Sequence, residues 1–452
     1  LSLNARKTAL QILNTLDKGH KTLDSILDDM MDKHPETLKR EKALLYALVY
    51  GVLRWKGRLD WIIAKYSRTK LNRINSTVLN ILRIGLFQII YLDRIPVSAA
   101  VNTSVDLAKR FAAPWVVRYV NAVLRHAVKG VHHITFPNVI DDPVNGLAVT
   151  KSFPKWLIIR WLDRFGTIET GTLCDAINDI PPITLRTNTL KTTRKKLLAS
   201  LSKDVKSIHY TKYAPDGICF ISPKISISEL TAFKNGWFQV QDEAAQLVTH
   251  ILNPQPNETV LDACAGRGGK TGHMAQLMKN TGSIIALDRD ENRLSQLGSE
   301  MTRLGISIVS PKKYDLSLSC PQNAFPMFDR ILLDAPCSGL GVLRRNPDTK
   351  WTMLPDRLVT SRETQIQLLS NLANLVKPSG VLVYAVCSME PEENEEVVNR
   401  FLKNHEEFVI EKHLDDLPPL ARSLMNEKGY LKTYPHLHHM DGFFSVSLKR
   451  TK

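Results

Sequence analysis

No apolar stretch of this 452-residue sequence approaches the length of a bilayer span, and Arg6 and Lys7 are not followed by the apolar core of a secretion signal. Paired cysteines are missing as well. The six cysteines stand at 174, 219, 264, 320, 337 and 387, and no two form a Cys-x-x-Cys pair. That spacing speaks against a zinc ribbon and a disulfide framework, and predicts a reduced, cytoplasmic protein with no membrane partner. There is no internal repeat and no low-complexity tract, which removes solenoids and disordered arrays. His436, His438 and His439 lack a partner cluster, so a surface loop is expected there and not a metal site.

Acidic residues are scarce in one half only. Residues 1–140 carry 22 Lys/Arg against 10 Asp/Glu, residues 141–235 carry 14 against 9, and residues 236–452 carry 24 against 26. The overall charge of +15 therefore lies in the first half. A basic half ahead of a nearly neutral one reads as a nucleic-acid-binding attachment on a catalytic unit.

Apolar residues recur at helical spacing throughout 1–140: Leu10, Leu13 and Leu16, then Leu23, Ile26 and Leu27, then Ala43 to Trp55 and Val78 to Tyr91. This predicts an all-α bundle, with Ser76 as an N-cap and Pro96 in a first turn. Arg54, Lys56, Arg58, Arg68, Lys70 and Arg73 are expected to cluster between helices, as a phosphate-contacting surface or a solvated face. Trp55, Trp61, Trp115, Trp156 and Trp161 sit at helix-like positions and read as core more than as base-stacking platforms. Residues 131–150 read as a linker. A small α/β piece follows to 235, with a helix from Trp156 to Phe165, a short strand within 181–188 and a helix from Thr192 to Leu201.

From 236 onward strands and helices alternate, as in a parallel sheet covered on both faces. Strands are expected at 259–261, 283–287, 306–309, 330–333 and 381–385, with Phe443 to Leu448 closing the sheet. Residues just past the carboxyl ends of such strands face the ligand crevice. Cys337 ends the run Leu333-Asp334-Ala335-Pro336-Cys337-Ser338-Gly339, and Cys387 ends Val383-Tyr384-Ala385-Val386-Cys387-Ser388. Two thiols and a carboxylate delivered to one crevice point to covalent chemistry.

The loop Asp262-Ala263-Cys264-Ala265-Gly266-Arg267-Gly268-Gly269-Lys270-Thr271 lets backbone approach a ligand at a helix start. It is not a P-loop, which would need glycine at 264, nor a dinucleotide fingerprint, which would need glycine at 271. Asp288 is placed to bind a ribose; Asp315 could hold an adenine amino group or be a loop carboxylate. Ribose and adenine without a P-loop, facing two cysteines, suggest S-adenosylmethionine. Pyrimidine C5 becomes nucleophilic when a thiolate adds to C6. An acid near N3 would stabilise the charge on the ring, and a second base must then remove the C5 proton. Asp334, Cys337 and Cys387 supply these three needs.

On these residues the chain resembles the bacterial small-subunit rRNA cytosine-C5 methyltransferases of the RsmB/Fmu/Sun type, over essentially its whole length. The matching stretches are Asp334-Ala335-Pro336-Cys337-Ser338-Gly339 running on to Asp348, Cys387-Ser388 with Pro391-Glu392-Glu393-Asn394, Gln241-Asp242-Glu243-Ala244 and Asp441-Gly442-Phe443-Phe444. The resemblance implies a NusB-like helical domain over 1–140, a linker and small α/β domain over 141–235, and a Rossmann-like class I methyltransferase domain over 236–452. It implies that Cys387 is the nucleophile and that Cys337 assists product release. The cofactor would be held by Cys264, Ala265, Gly266, Arg267, Gly268, Gly269, Lys270, Asp288, Asp315 and Asp334. The expected partner is 16S rRNA, with no protein partner required.

Two departures stand out. Gly266-Arg267-Gly268-Gly269-Lys270 replaces the family's Ala-Pro-Gly-Gly-Lys, and Val386-Cys387 replaces its Thr-Cys, removing a hydroxyl beside the nucleophile. They leave open a non-catalytic RNA-binding or ribosome-assembly factor. The same chemistry on tRNA or another rRNA site is open too. The acidic run Glu392 to Glu396 is expected to be mostly a solvated helix start.

Overall fold

The structure, a computed structural model, describes residues 4–19, 21–33, 37–318, 325–412 and 415–451; Cys320 lies outside them. The chain forms two compact units. One comprises Leu1–Asp179 with Leu343–Met353, the other Ile180–Val342 with Leu354–Lys452.

The first unit is helical. Helices Ala5–Leu16, Leu23–Lys33, Lys39–Tyr66, Ser76–Tyr91, Val97–Phe111 and Pro114–Gly130 bury one apolar cluster that includes Leu10, Leu13, Leu48, Val52, Ile62, Ile81, Leu86 and Leu124. Each such side chain contributes roughly 1.5–3 kcal/mol by leaving water. The helix Ser76–Tyr91 is capped by Asn75, whose side chain accepts from the Thr77 amide at 2.9 Å, and not by Ser76. Pro96 is the N-cap of Val97–Phe111 and not part of its first turn. Part of the expected linker is the helix Pro143–Thr150, with Asp142 capping the Asn145 amide and proline at the first position. Lys155–Asn178 follows, interrupted at Gly166 with φ of 72°.

The second unit holds two sheets. Strands β1 (Ile183–Thr187), β2 (Lys206–Tyr210), β3 (Gly217–Ile221) and β4 (Phe238–Val240) form an antiparallel sheet in the order β2-β3-β1-β4. The larger sheet comprises β5 (Thr259–Asp262), β6 (Ser283–Asp288), β7 (Val309–Lys313), β8 (Phe328–Asp334), β9 (Val376–Val386), β10 (Phe408–Ile410), β11 (Tyr430–Thr433) and β12 (Phe443–Arg450). Its order is β10-β12-β9-β8-β5-β6-β7, with β11 also on β12. The strands β5 to β9 are parallel; β10, β11 and β12 are antiparallel additions. β12 therefore does not close the sheet, because β10 and β11 pair with it.

Alternate residues of the central strands feed two apolar layers. Val260, Ala286, Leu332, Val383 and Ala385 pack with the helices Glu243–Leu252 and Gly269–Leu277. Leu261, Leu287, Leu333, Tyr384 and Val386 pack with Pro355–Ala373 and Glu395–Asn404. Chain order runs outward from β5 through β6 to β7, then resumes at β8 on its other side, so the crevice opens at the β5/β8 junction. Among the described residues no helix is long and apolar enough to cross a membrane.

Candidate active site

Four strands end at one place. β5 ends at Asp262, β6 at Asp288, β8 at Asp334 and β9 one residue before Cys387. Past the first three of these ends lies a cavity of about 440 Å³, in the second unit. Its lining includes Cys264, Ala265, Gly266, Arg267, Gly269, Lys270, Asp288, Asp315 and Asp334. Of the residues expected to hold the cofactor, only Gly268 stays behind the wall. At φ of +83° its missing side chain leaves room for Leu297 and Met301, so the loop turns into the helix Gly269–Leu277 there. Gly266, at φ of +55°, donates its amide to Asp288 Oδ2 at 2.9 Å.

The carboxylates have distinct surroundings. Asp288 also accepts from the Asp290 amide at 2.9 Å, which fixes its rotamer. Asp315 accepts from the Ser317 hydroxyl at 2.6 Å and amide at 2.9 Å, and these bonds hold it below the usual carboxylate range. Asp334 pairs with Lys270 at 2.5 Å, and the Lys270 ammonium lies 5.3 Å from the centre of the Phe443 ring. Asp262 is buried against the cavity. Its Oδ2 accepts from Thr271 Oγ1 at 2.6 Å, while Oδ1 meets no protein donor. Burial raises its acid to about 7.

The two sulfurs lie at the neighbouring edge, 3.2 Å apart, and neither lines the cavity, although Pro336 does. The hydrogen bond between the thiols, and then burial, push the Cys337 thiol well above its ordinary range. Parallel pairing of β8 with β9, Asp334 opposite Ala385, brings the two loops together. Glu393 then locks them. It is fully buried and accepts from the Ser338 amide at 2.7 Å, Ser338 Oγ at 2.5 Å and Gln365 Nε2 at 3.2 Å. Ser338 Oγ and Ser388 Oγ, each one residue beyond a cysteine, are 3.4 Å apart. The expectation of a solvated run at 392–396 thus fails at Glu393 and Asn394, both buried.

A second support comes from β1. Arg186 is fully buried; it donates to Gly269 O at 2.7 Å, Gln239 Oε1 at 2.7 Å, Gln276 Oε1 at 3.3 Å and the Gln241 side chain. Burial pushes its guanidinium down to about 9. It ties the antiparallel sheet to the glycine loop. An arginine within the short expected strand at 181–188, beside Ile183 and Leu185, was the available signal.

The two departures occupy different environments. Arg267 is exposed at the cavity rim. Val386 is fully buried in the apolar layer with Tyr384 and Phe444, against which Cys337 also packs, while Cys387 packs against the other layer. Its missing hydroxyl is therefore replaced by apolar packing. His436 and His438 lie in a short helix, Pro435–His438, and the described residues hold no metal-binding cluster.

Comparison with known proteins agrees with this architecture. Residues 249–449 match the model "16S rRNA methyltransferase RsmB/F", residues 3–129 the NusB family, and residues 153–227 the ferredoxin-like domain of RsmF/B-like methyltransferases. The fold is thus a NusB-like domain, a ferredoxin-like domain and a methyltransferase domain in sequence. The chain is 37% identical to the probable ribosomal RNA small subunit methyltransferase B of Synechocystis sp., over 99% of this chain and 100% of that protein. It is 36% identical to the Bacillus subtilis protein of the same name, over 99% of both. The crystal structure of PH0851 matches with a TM-score of 0.80 and 27% identity, covering both chains fully. A methyltransferase homologue from Pyrococcus horikoshii matches with a TM-score of 0.57 and 29% identity, over 67% of this chain and 97% of its own. Full-length identity at this level, on a chain that carries all three domains in order, means that it belongs to the RsmB/F family of 16S rRNA methyltransferases.

Proposed function

We propose that the chain methylates C5 of a cytosine in 16S rRNA, using S-adenosylmethionine and a covalent bond between Cys387 and C6. The observation that carries this reading is the pair of thiols 3.2 Å apart just past the ends of β8 and β9, in a stretch that also carries the ion-paired Asp334 and the cavity-lining Pro336. Family membership supports the methyl-transfer reaction and the RNA substrate.

The cavity suits the cofactor. Asp288 and Asp315 offer acceptors for ribose and amine groups, Tyr314, Leu316 and Leu368 offer apolar surface for a flat ring, and Asp262 Oδ1 offers a buried acceptor with no protein donor. Bound there, S-adenosylmethionine supplies an electrophilic methyl group. The chain's residues do the rest. Cys387, its thiol proton lost to solvent, adds its sulfur to C6, and the ring electrons move to C5 as N3 takes up the proton that the Lys270 ammonium passes through the Asp334 carboxylate. Lys270 fixes the Asp334 carboxyl for that exchange. Bonding of Cys387 to C6 removes the thiol–thiol hydrogen bond that holds the Cys337 proton; Cys337 then loses that proton to solvent and, once C5 carries the methyl group, takes the C5 proton. The electrons of that C–H bond restore the C5–C6 double bond and expel Cys387, and N3 returns its proton through Asp334 to Lys270. Glu393 keeps both loops in register through these steps. We assign residues 1–140 to RNA binding, 141–235 to the linker and middle domain, and 236–452 to catalysis.

The test separates the sulfurs. Cys387→Ala should abolish methylation and form no protein–RNA adduct. Cys337→Ala should methylate once and stay bonded to the RNA, as a slow band on a denaturing gel that nuclease removes. The opposite pattern would exchange the two roles. No adduct in either variant, with methylation retained, would remove the covalent mechanism.

A further inference from the structure

The helical unit contains a second cavity, of about 560 Å³, where the helices Ser76–Tyr91 and Pro114–Gly130 begin. Its lining brings Phe111, Trp115 and Tyr119 together with Arg73, over the apolar side chains of Val78 and Ile81. The sequence pattern predicts Trp115 as core. In the structure it is 66% exposed, and Phe111 is 47% exposed. Two large aromatic rings kept in water beside a cavity cost hydrophobic free energy that the fold does not recover. Tyr119 is held in place by the contact between its hydroxyl and Ser67 Oγ at 2.7 Å.

Charge identifies the occupant. The stretches 68–81 and 110–119, which supply the cavity lining apart from Asn14, hold five Lys/Arg and no Asp or Glu. These five, Arg68, Lys70, Arg73, Arg110 and Arg118, are exposed. Aromatic faces among these basic side chains suit a polyanion that offers flat rings. Single-stranded RNA does so, whereas duplex RNA keeps its bases stacked internally. An apolar peptide would use the aromatics but not the charge.

We propose that this cavity takes an unstacked base of a single-stranded RNA segment, with neighbouring phosphates on Arg73 and the surrounding basic side chains. This rests on the RNA reading above and adds where the helical unit holds that RNA. The base stacks on Trp115 or Phe111, and sequence preference is weak because every base has a π-face.

The test uses the full chain and a fluorescently labelled single-stranded oligouridylate. Trp115→Ala removes an exposed ring, so its melting temperature should match the parent. Its affinity should fall about tenfold, with the salt slope unchanged. Arg73→Gln should lower the slope of log Kd against log salt by about one. Oligouridylate carrying 5-iodouridine should crosslink to a peptide containing Phe111, Trp115 or Tyr119. If the parent binds the oligonucleotide but neither substitution changes binding and crosslinks fall elsewhere, the proposal is overturned and the cavity serves a protein segment. If the folded parent binds no single-stranded RNA, the RNA reading itself fails.

Discussion

Asp262 illustrates how one buried side chain couples the site to pH. Desolvation is the main cause of its acid rising to about 7, opposed by the Thr271 hydroxyl and reinforced by Asp334. The folded state therefore holds a proton that the unfolded chain releases near the ordinary carboxylate value. Between about pH 4 and pH 7 the folded state binds more protons, so this residue's contribution to stability declines as pH rises through that window and is level above it. Asp262→Asn keeps the shape and an acceptor for Thr271 but cannot ionise. Its melting temperature should gain on the parent's as pH is raised from about 4 to about 7, by an amount worth at most a few kcal/mol. Parallel melting curves across that range would refute the shift. At this scale much of the candidate site was legible. Carboxylates and thiols placed just after apolar runs stand at strand ends because parallel strands present those ends to the crevice. Arg186 and Glu393 were not, since what makes them matter is partners 83 and 55 residues distant.

At the scale of elements, the buried strands β5, β6, β8 and β9 were readable as apolar runs, because both faces of a covered sheet select apolar residues. β2 and β7 were less so: most of their residues are exposed, and no alternation survives at such edges. The helix Pro143–Thr150 was hidden by its own proline, which reads as a breaker unless its position at a helix start is known. The motif around Asp441 to Phe444 gains a physical reason from the loops it meets. Gly442 donates its amide to Gly341 O at 2.8 Å, and Gly341 donates to Cys387 O at 3.0 Å. A β-carbon on Gly341 would come within 1.9 Å of Gly442 O and 3.0 Å of the Cys387 carbonyl carbon. Backbone would have to move, carrying the Cys387 loop with it. Gly341→Ala should lower methyl transfer about a hundredfold, by the sensitivity of oriented reactions to displacements of about 1 Å. Cofactor affinity should hold, since neither glycine lines the cavity. Calorimetry with S-adenosylmethionine and a single-turnover assay would separate the two effects, and full activity would contradict the close approach.

For the whole molecule, the distribution of charge and the path of the chain matter most. The charge asymmetry could be read from the sequence, but not which cations are free to use it. Arg54 is buried and donates to Arg344 O at 2.9 Å, Lys56 pairs with Asp17 at 3.5 Å, and Arg58 lies over the Phe136 ring at 4.7 Å, leaving Arg68, Lys70 and Arg73 exposed. The excursion of Leu343–Met353 into the helical unit was likewise invisible, because its partners are hundreds of residues away. Lys350 anchors it. The side chain is 1% exposed and its ammonium donates to Arg54 O at 2.9 Å, Ser152 O at 3.1 Å and Asn178 Oδ1 at 3.1 Å. Desolvation lowers its basicity well below the ordinary lysine value, and the three acceptors, with the centre of the Phe153 ring 4.0 Å from the ammonium, offset that cost. Lys350→Met fills the same space and leaves those acceptors without their donor. The variant should lose about 2–4 kcal/mol from the helical unit. It should also become open to proteolysis between Leu343 and Met353, well before β5–β9 melt. Limited proteolysis read by mass spectrometry would report cleavage in that segment. A variant as resistant and as stable as the parent would mean that apolar packing alone, Trp351 against Gly57 included, holds the excursion in place.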